Sequence, residues 1–469
     1  MMQGVAMATV FDPFRLGAIA LDVLATHHTG AKGIQARQQV RLQRLVAAAE
    51  RGSAYYQVML SPLTREQWSL SDLPVVHKSI LMQHFDQWVT DPAIRLSNLR
   101  SWVSDPHQIG RPYLGRYLVW ESSGSSHEPG LFIQDAQSMA VYDALEALRC
   151  HRPRPMLRWL DPWFLSEKMV FIGALEGHFS SVVSMQRLRQ IHPCLAQRLH
   201  CFSILQPQAD WLGQIQQLQP TIVATYPSVA CVLADAVQRG ALHCTTQELW
   251  LGGETLSVAV RKHLVQVLGC VVRNSYGASE CMAIGWECSQ GKMHANTDWV
   301  ILEAVNAAGQ PVAPGTLSHT TLLTNLANHV QPLIRYDLGD QIVIQPEPCG
   351  CGAPFPVIEV MGRKDEALTL LAEDGTAITL LPLAITTVLE EQAGVFDFQL
   401  VQTAPRGLSL KLPASTSDAA VCLVQCAQVL QQFVRAMGLR GIQISTCTVP
   451  ALARGNSGKV QRIMNAYRD

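Results

Sequence analysis

The chain is predicted to be an α/β protein, with a large N-terminal doubly wound α/β domain and a small α+β C-terminal domain. Three observations predict this. Strand-like and helix-like segments alternate strictly between residues 200 and 278. Small-residue, polar stretches follow three of those strands, at "TYPS", "GGE" and "SYGASE". After "MGRKDE" the pattern changes to hairpins and one long helix.

The elements justify this in order. Residues 1–120 read mostly as helix, with turns at "SPLT", "SDLP" and "SDPHQIGRP". "FSIL" reads as a short strand, "WLGQIQQLQ" as a helix and "TIVATYP" as a strand. "SVACVLADAVQRG" is a helix with Ser228 as its N-cap and Gly240 as its terminator. "ELWLGGE" is a strand, "SVAVRKHLVQVLG" a helix and "CVVRNSYG" a strand. In a parallel sheet of this kind, ligands bind beyond the carboxyl ends of the strands. In the C-terminal part, "ALTLLAEDGTAITLL" reads as a hairpin around Asp374-Gly375. A helix ("PLAITTVLEEQ"), a hairpin ("FDFQLVQTAPRGLSLKLP"), a long helix capped by Ser417 and a last strand ("IQISTCTVP") complete it.

Composition narrows the function. A chain of 469 residues has room for two or three domains and a buried active site. Lys plus Arg (36) balances Asp plus Glu (37), and no basic stripe stands out, which argues against nucleic-acid and anionic-membrane partners. No apolar run approaches the roughly 20 residues of a membrane span. "FRLGAIALDVLA" is interrupted by Arg15 and Asp22 and does not read as a signal peptide. The 13 scattered cysteines, an odd number, suggest reduced, cytoplasmic usage.

Four stretches carry candidate chemistry, and each has a plainer reading beside it. "ESSGSSHEPG" offers the hydroxyls of Ser122, Ser123, Ser125 and Ser126, with Gly124 permitting close approach to a phosphate. It lacks the Gly-Lys-Ser of a Walker loop and also reads as a solvated turn. "NSYGASECM" places Tyr276 at a strand end to stack on a flat base, with Glu280 to hold Mg²⁺, or is a turn with an incidental acid. In "LIRYDLGDQI", Asp340 suits a ribose and Arg335 a phosphate, or the stretch is a β-turn with a salt bridge. In "GNSGKVQRI", Lys459 is either functional or a solvated tail lysine.

The order of these stretches is more specific than any one of them. A serine loop, GGE, YGASE, YDLGD, GRKDE and a terminal GK-x-x-R follow one another. In this the chain resembles the adenylate-forming superfamily of acyl-CoA synthetases, luciferases and peptide-synthetase adenylation domains. "DLPVVHKSILMQHF" makes it similar to the phenylacetate–CoA ligase-like branch. The resemblance covers about residues 70–469. It implies ATP-dependent activation of a small carboxylic acid to an acyl-adenylate, then transfer to CoA or a carrier thiol. Ser122 to Ser126 would lie over the ATP phosphates. Gly252, Gly253, Glu254 and Tyr276 would border the adenine, with Gly277 and Ser279 beside them, and Glu280 would bind Mg²⁺. Asp340 and Arg363 would hold the ribose, Arg335 would serve catalysis, and Lys364 and Asp365 would mark the hinge. The implied domains are 1–361, a hinge at 362–366, and a mobile 367–469 carrying Lys459, which reaches in during adenylation. The loop then supplies hydrogen bonds, while the positive charge arrives as Mg²⁺ and Lys459.

Cys288, His294, Cys349 and Cys351 form a further set, one His and three Cys, the composition of a structural zinc site. The alternative is coincidence in a cysteine-rich chain. His178, Phe179, Tyr226, Pro227 and Ala278 are candidate walls of a pocket for a flat, aryl acid, or ordinary core residues.

Three features depart from the family pattern. The usual Gly-Lys of the loop is His127-Glu128. The segment just after the hinge, "LTLLAEDGTAI", contains no Arg-Gly pair, which supports adenylation better than thioester formation. No cation is evident for the substrate carboxylate. Two alternatives therefore stand beside the ligase: a stand-alone enzyme passing the acyl group to an amine or hydroxyl, and a non-catalytic nucleotide-binding scaffold.

Overall fold

A computed structural model describes residues 10–61, 68–122, 129–149, 167–175, 177–204, 206–363, 368–380, 382–454 and 460–467. The chain divides into two compact units. One comprises residues 1–203, 275–338 and 343–359, and the other residues 204–274, 339–342 and 360–469.

The first unit begins with helices α1 (Pro13–Thr26) and α2 (Gly30–Gly52). Asp12 caps α1 by accepting from the Arg15 N–H, and Pro13 occupies the first turn, where its missing N–H costs nothing. Strands β1 (Leu118–Glu121) and β2 (Leu131–Gln134) pair antiparallel across the serine stretch. Helix α3 (Ala136–Leu148) packs against α1. Strands β3 (Met169–Gly173) and β4 (Leu199–Ser203) pair in parallel through α4 (Ser180–Ile191). A continuous apolar core runs from Val23 and Leu45 through Trp88, Trp120 and Phe132 to Leu323 and Tyr336.

The second unit contains α5 (Gln208–Leu218), β5 (Ile222–Thr225), α6 (Pro227–Gln238), β6 (Glu248–Leu251) and α7 (Val258–Leu268). Strand β7 (Val271–Ala278) follows, and β5, β6 and the first half of β7 pair in parallel. This is the predicted β/α alternation. Gly240 and Gly269 end α6 and α7 with φ of +71° and +64°, a backbone that glycine adopts at little cost. Helix α6 starts two residues earlier than expected: Pro227 takes its first position, Tyr226 is the N-cap, and Ser228 lies inside the first turn.

Strand β7 crosses from the second unit into the first at Ser275. "SYGASE" is therefore not a loop after a strand. Tyr276 and Gly277 lie within β7, which turns at Ser279–Glu280 into antiparallel β8 (Cys281–Glu287) and then β9 (Met293–Ala295). The register shifts between Tyr276 and Ala278, a β-bulge. A Cβ on Gly277 would lie 2.0 Å from the Met282 carbonyl oxygen, so the bulge needs glycine there. Strands β10 (Val300–Val305), β11 (Thr320–Asn325) and β12 (Leu333–Asp337) form an antiparallel sheet. Strand β13 (Asp340–Ile344) follows, and β14 (Val357–Arg363) pairs with β9.

The C-terminal stretch has its own apolar cluster, from Leu368 to Ile463. Strands β15 (Leu368–Leu371) and β16 (Ala377–Leu380) form the expected hairpin, with Gly375 at φ +84° in its turn. Helix α8 (Pro382–Ala393) precedes the hairpin of β17 (Gln399–Ala404) and β18 (Gly407–Pro413). Helix α9 (Ala419–Ala436) has Asp418, at φ +51°, in its N-cap position in place of Ser417, with no side-chain capping bond. Strand β19 (Gln443–Val449) is not the last strand, because β20 (Ile463–Asn465) returns in parallel with β17. No helix among the described residues is long and apolar enough to cross a membrane.

Candidate active site and metal centre

In the first unit, β1 leads into the serine stretch. The Ser122 N–H donates to the Gly130 carbonyl, and the Gly130 N–H donates to Ser122 Oγ, each at 2.8 Å. These paired bonds close the base of the loop. Ser123, Gly124, Ser125, Ser126, His127 and Glu128 lie outside the described residues, as do Lys364, Asp365 and Lys459.

Trp120, two residues before Ser122, donates from Nε1 to the Ser279 carbonyl at 2.7 Å. One bond thus joins the root of the serine loop to the YGASE turn, 159 residues away. Glu280 sits at that turn, half-buried. Its Oε1 accepts from the Tyr336 hydroxyl at 2.7 Å, and its backbone carbonyl accepts from Asn325 Nδ2 at 3.0 Å. The phenol fixes the direction of the carboxylate, as a ligand for a hard cation requires. Sequence reasoning did not single out Trp120 or Tyr336; their adjacency to "ESSG" and to Asp337 was the only signal.

Glu121 ends β1 and is half-buried. Its N–H donates to the His178 carbonyl at 2.8 Å, and it bridges to Phe179. Burial pushes its carboxyl above the usual range, against a hydrogen bond from the His178 backbone that lowers it. His178 is only 1% exposed, and its Nε2 lies 3.2 Å from the Asp105 carbonyl. That places its ring inside the fold and not on an open wall, and burial holds its pKa below the ordinary value. Phe179 is buried in the first unit, and Tyr226 and Pro227 are buried in the second. Ala278 is half-buried beside the β7–β8 turn.

Arg335 corrects the expectation of a phosphate contact. Its side chain is 6% exposed and donates from Nε to both Glu303 oxygens, at 3.2 and 3.0 Å. Nη1 donates to the carbonyls of Ser71 (3.1 Å) and Leu73 (2.5 Å). A guanidinium committed in this way is a structural tie between β12 and the short 3₁₀ turn Leu70–Asp72, not a catalytic residue.

In the second unit, the loop after β6 carries Gly252, Gly253 (φ +78°) and Glu254. The Glu254 carboxylate accepts from the Ser228 N–H and Oγ–H, each at 3.0 Å, and from the Val460 N–H at 3.2 Å. Asp340 is buried and pairs with Arg363 Nη1 at 3.4 Å. Gly339, at φ +81°, leaves the space that Arg363 fills: a Cβ there would stand 2.9 Å from Nη2. The two residues expected at a ribose are therefore neighbours.

The Cys/His set also comes together. Cys288 follows β8, His294 lies in β9, and Cys349 and Cys351 precede β14, which pairs with β9 at Val357 and His294. Their ligand atoms all lie within 4.8 Å of one another. Cys288 Sγ is 3.8 Å from Cys349 Sγ, and Cys351 Sγ is 3.4 Å from His294 Nε2. Tetrahedral zinc with bonds of about 2.3 Å to sulfur implies sulfur–sulfur distances of about 3.8 Å, so the set fits that ion. His294 Nδ1 lies 2.9 Å from the Phe355 carbonyl, which leaves Nε2 with its lone pair toward the thiols. Trp286 stacks on the His294 ring at 5.0 Å.

The fold has counterparts among known proteins. The chain matches 2-hydroxyisobutyryl-CoA ligase in the postadenylation state, in complex with 2-HIB-AMP, with a TM-score of 0.66 at 18% identity. That match covers 93% of this chain and 89% of the other. The chain has the fold of these adenylate-forming ligases. It also matches the anthranilate CoA ligase AuaEII in complex with anthranoyl-AMP, with a TM-score of 0.51 at 14% identity over 73% of this chain and 65% of that one. Among curated proteins, a phenylacetate–coenzyme A ligase of Thermus thermophilus is 27% identical over 184 residues. That stretch is 37% of this chain and 40% of the relative, so the match spans less than half of either protein. No family model matches the chain.

Proposed function

We propose that the chain is an adenylate-forming ligase of the phenylacetate–CoA ligase-like kind, acting on a small aryl carboxylic acid. The observation that supports this most is the Trp120–Ser279 bond. It brings the root of a serine-rich loop to an acid, Glu280, that a phenol holds in place. The substrate carboxylate attacks the α-phosphorus of ATP, the bond to pyrophosphate breaks, and an acyl-adenylate forms. A thiol, that of CoA or a carrier, then attacks the acyl carbon and AMP leaves. Glu280 would hold Mg²⁺, which neutralises phosphate charge when bound. Asp340 and Arg363 suit the ribose side. Lys459, from a C-terminal domain pivoting at 362–366, would meet the charge that builds in the transition state. A cytoplasmic setting suits the described cysteines, none of which is joined in a disulfide.

Cys288, His294, Cys349 and Cys351 would hold one zinc ion. Four ligands leave no open position, so its role is structural. Metal analysis should find about one zinc per chain, and a large reduction in Cys349→Ser. Wild-type protein purified without chelator and free of zinc ends that assignment.

The lack of an Arg-Gly pair in "LTLLAEDGTAI", just after the hinge, favours a second reading, with an amine or hydroxyl as acceptor. One experiment addresses the whole proposal: carboxylate-dependent ATP–pyrophosphate exchange over aryl, fatty and amino acids. The best acid is then incubated with CoA and the product weighed. Exchange with an aryl acid is expected. ATP binding without exchange across the panel would leave the nucleotide-holding scaffold instead.

A further inference from the structure

The Glu254 carboxylate gathers three donors from distant parts of the second unit: the Ser228 N–H and Oγ–H at the start of α6, and the Val460 N–H. A carboxylate has about four lone-pair sites on two oxygens, so it can serve all three at once, whereas an amide has one acceptor oxygen. Its charge also suits the first turn of a twelve-residue helix.

A second anchor lies two residues beyond Val460. Arg462 donates to Glu390 at 2.5 Å and to the Phe396 carbonyl at 2.6 Å. Glu390, in α8, also accepts from Ser257, the N-cap of α7. On the other side, Gln399 donates to the Gln461 carbonyl and the Leu400 N–H to that of Arg462, at 2.9 and 2.7 Å. The segment after residue 459 is thus tied to α6 and α7 by two carboxylates and to its own sheet by backbone bonds.

We propose that Glu254 is a positioning residue, a carboxylate clamp that joins the N-terminus of α6 to the Val460 backbone and thereby sets the reach of Lys459, the preceding residue. This rests on the ligase reading, in which Lys459 serves adenylation. It gives Glu254 a task different from bordering adenine, and the two tasks separate kinetically. A nucleotide contact acts through KM for ATP. A clamp acts through kcat, because it matters only when the lysine meets the transition state.

The test uses the full-length chain and the variants Glu254→Ala, Glu254→Gln and, as a control on the exposed surface, Glu373→Ala. Amide hydrogen exchange of residues 460–467 is measured first, since it needs no turnover. Glu254→Ala should exchange the Val460 amide at least about tenfold faster than wild type. Glu254→Gln, which keeps the side-chain shape should the alanine variant not fold, should fall between, and Glu373→Ala should match wild type. In ATP–pyrophosphate exchange, Glu254→Ala should lose about 10- to 100-fold in kcat with KM for ATP within about twofold, and Glu254→Gln should recover part of that loss. Unchanged Val460 protection in Glu254→Ala overturns the clamp, and so does a raised KM for ATP at wild-type kcat. If wild type itself shows no exchange with any acid, the ligase reading fails, and the amide measurement alone still decides whether the clamp exists.

Discussion

At the scale of single residues, side-chain identity says less than what each side chain is already holding. Arg335 looked like a phosphate ligand, yet Glu303 and two backbone carbonyls occupy it. Arg335→Ala would leave the half-buried Glu303 without its partner and should cost about 1.5–3 kcal/mol in chemical denaturation, the scale of hydrogen bonds to a charged group. In whatever folded protein remains, KM for ATP should stay unchanged. His178 gives a pH signature. Burial lowers its pKa in the folded chain, while the unfolded chain keeps a value near 6.5. The unfolded state therefore takes up the proton first as pH falls. The stability contributed by neutral His178 is complete above about pH 6.5 and is lost below it, toward the lowered folded value. The melting temperature of wild type should fall between pH 7.5 and 5.5, and His178→Gln should flatten that slope.

At the scale of elements, the β7–β8 turn is the most sensitive. Gly277→Ala would push a Cβ against the Met282 carbonyl at 2.0 Å, and relieving it means shifting the bulge that presents Glu280. We expect a loss of about 1–3 kcal/mol in thermal or urea unfolding, and a larger proportional loss in pyrophosphate exchange. The parallel β/α layer was legible in the sequence because apolar runs and glycine stops punctuate it at the right spacing. The bulged strand was not, since "SYGASE" has the small residues of a loop and only the pairing with β8 reveals it as a strand. Ser228 misled for a related reason: Glu254 takes both its amide and its hydroxyl, while Pro227 begins the helix. The clustering of Cys288, His294, Cys349 and Cys351 was legible by residue type although two segments supply them. Tyr336 and Trp120 were not, because each acts through a partner far away in sequence.

At the scale of the whole molecule, the proposed chemistry depends on a lysine near the C-terminus and a loop near residue 125. Lys459→Ala should lower pyrophosphate exchange by about 10²–10³ while ATP and acid still bind, the scale of one lost transition-state contact. Fluorescence or calorimetric titration would confirm that binding persists. The C-terminal stretch carries its own apolar cluster, so this substitution should leave the melting temperature unchanged. The thiol centre has a further consequence for how the protein ages. Cys288 and Cys349 stand 3.8 Å apart, and a disulfide needs about 2.05 Å, a small closure for two side chains. If the zinc proposed for this set is stripped by a chelator, dissolved oxygen can withdraw two electrons and two protons from that pair. The resulting cystine has no thiolate to offer an incoming ion. A stripped sample stored in air should titrate two fewer thiols and refuse zinc until a reductant is added, whereas the loaded protein should keep both.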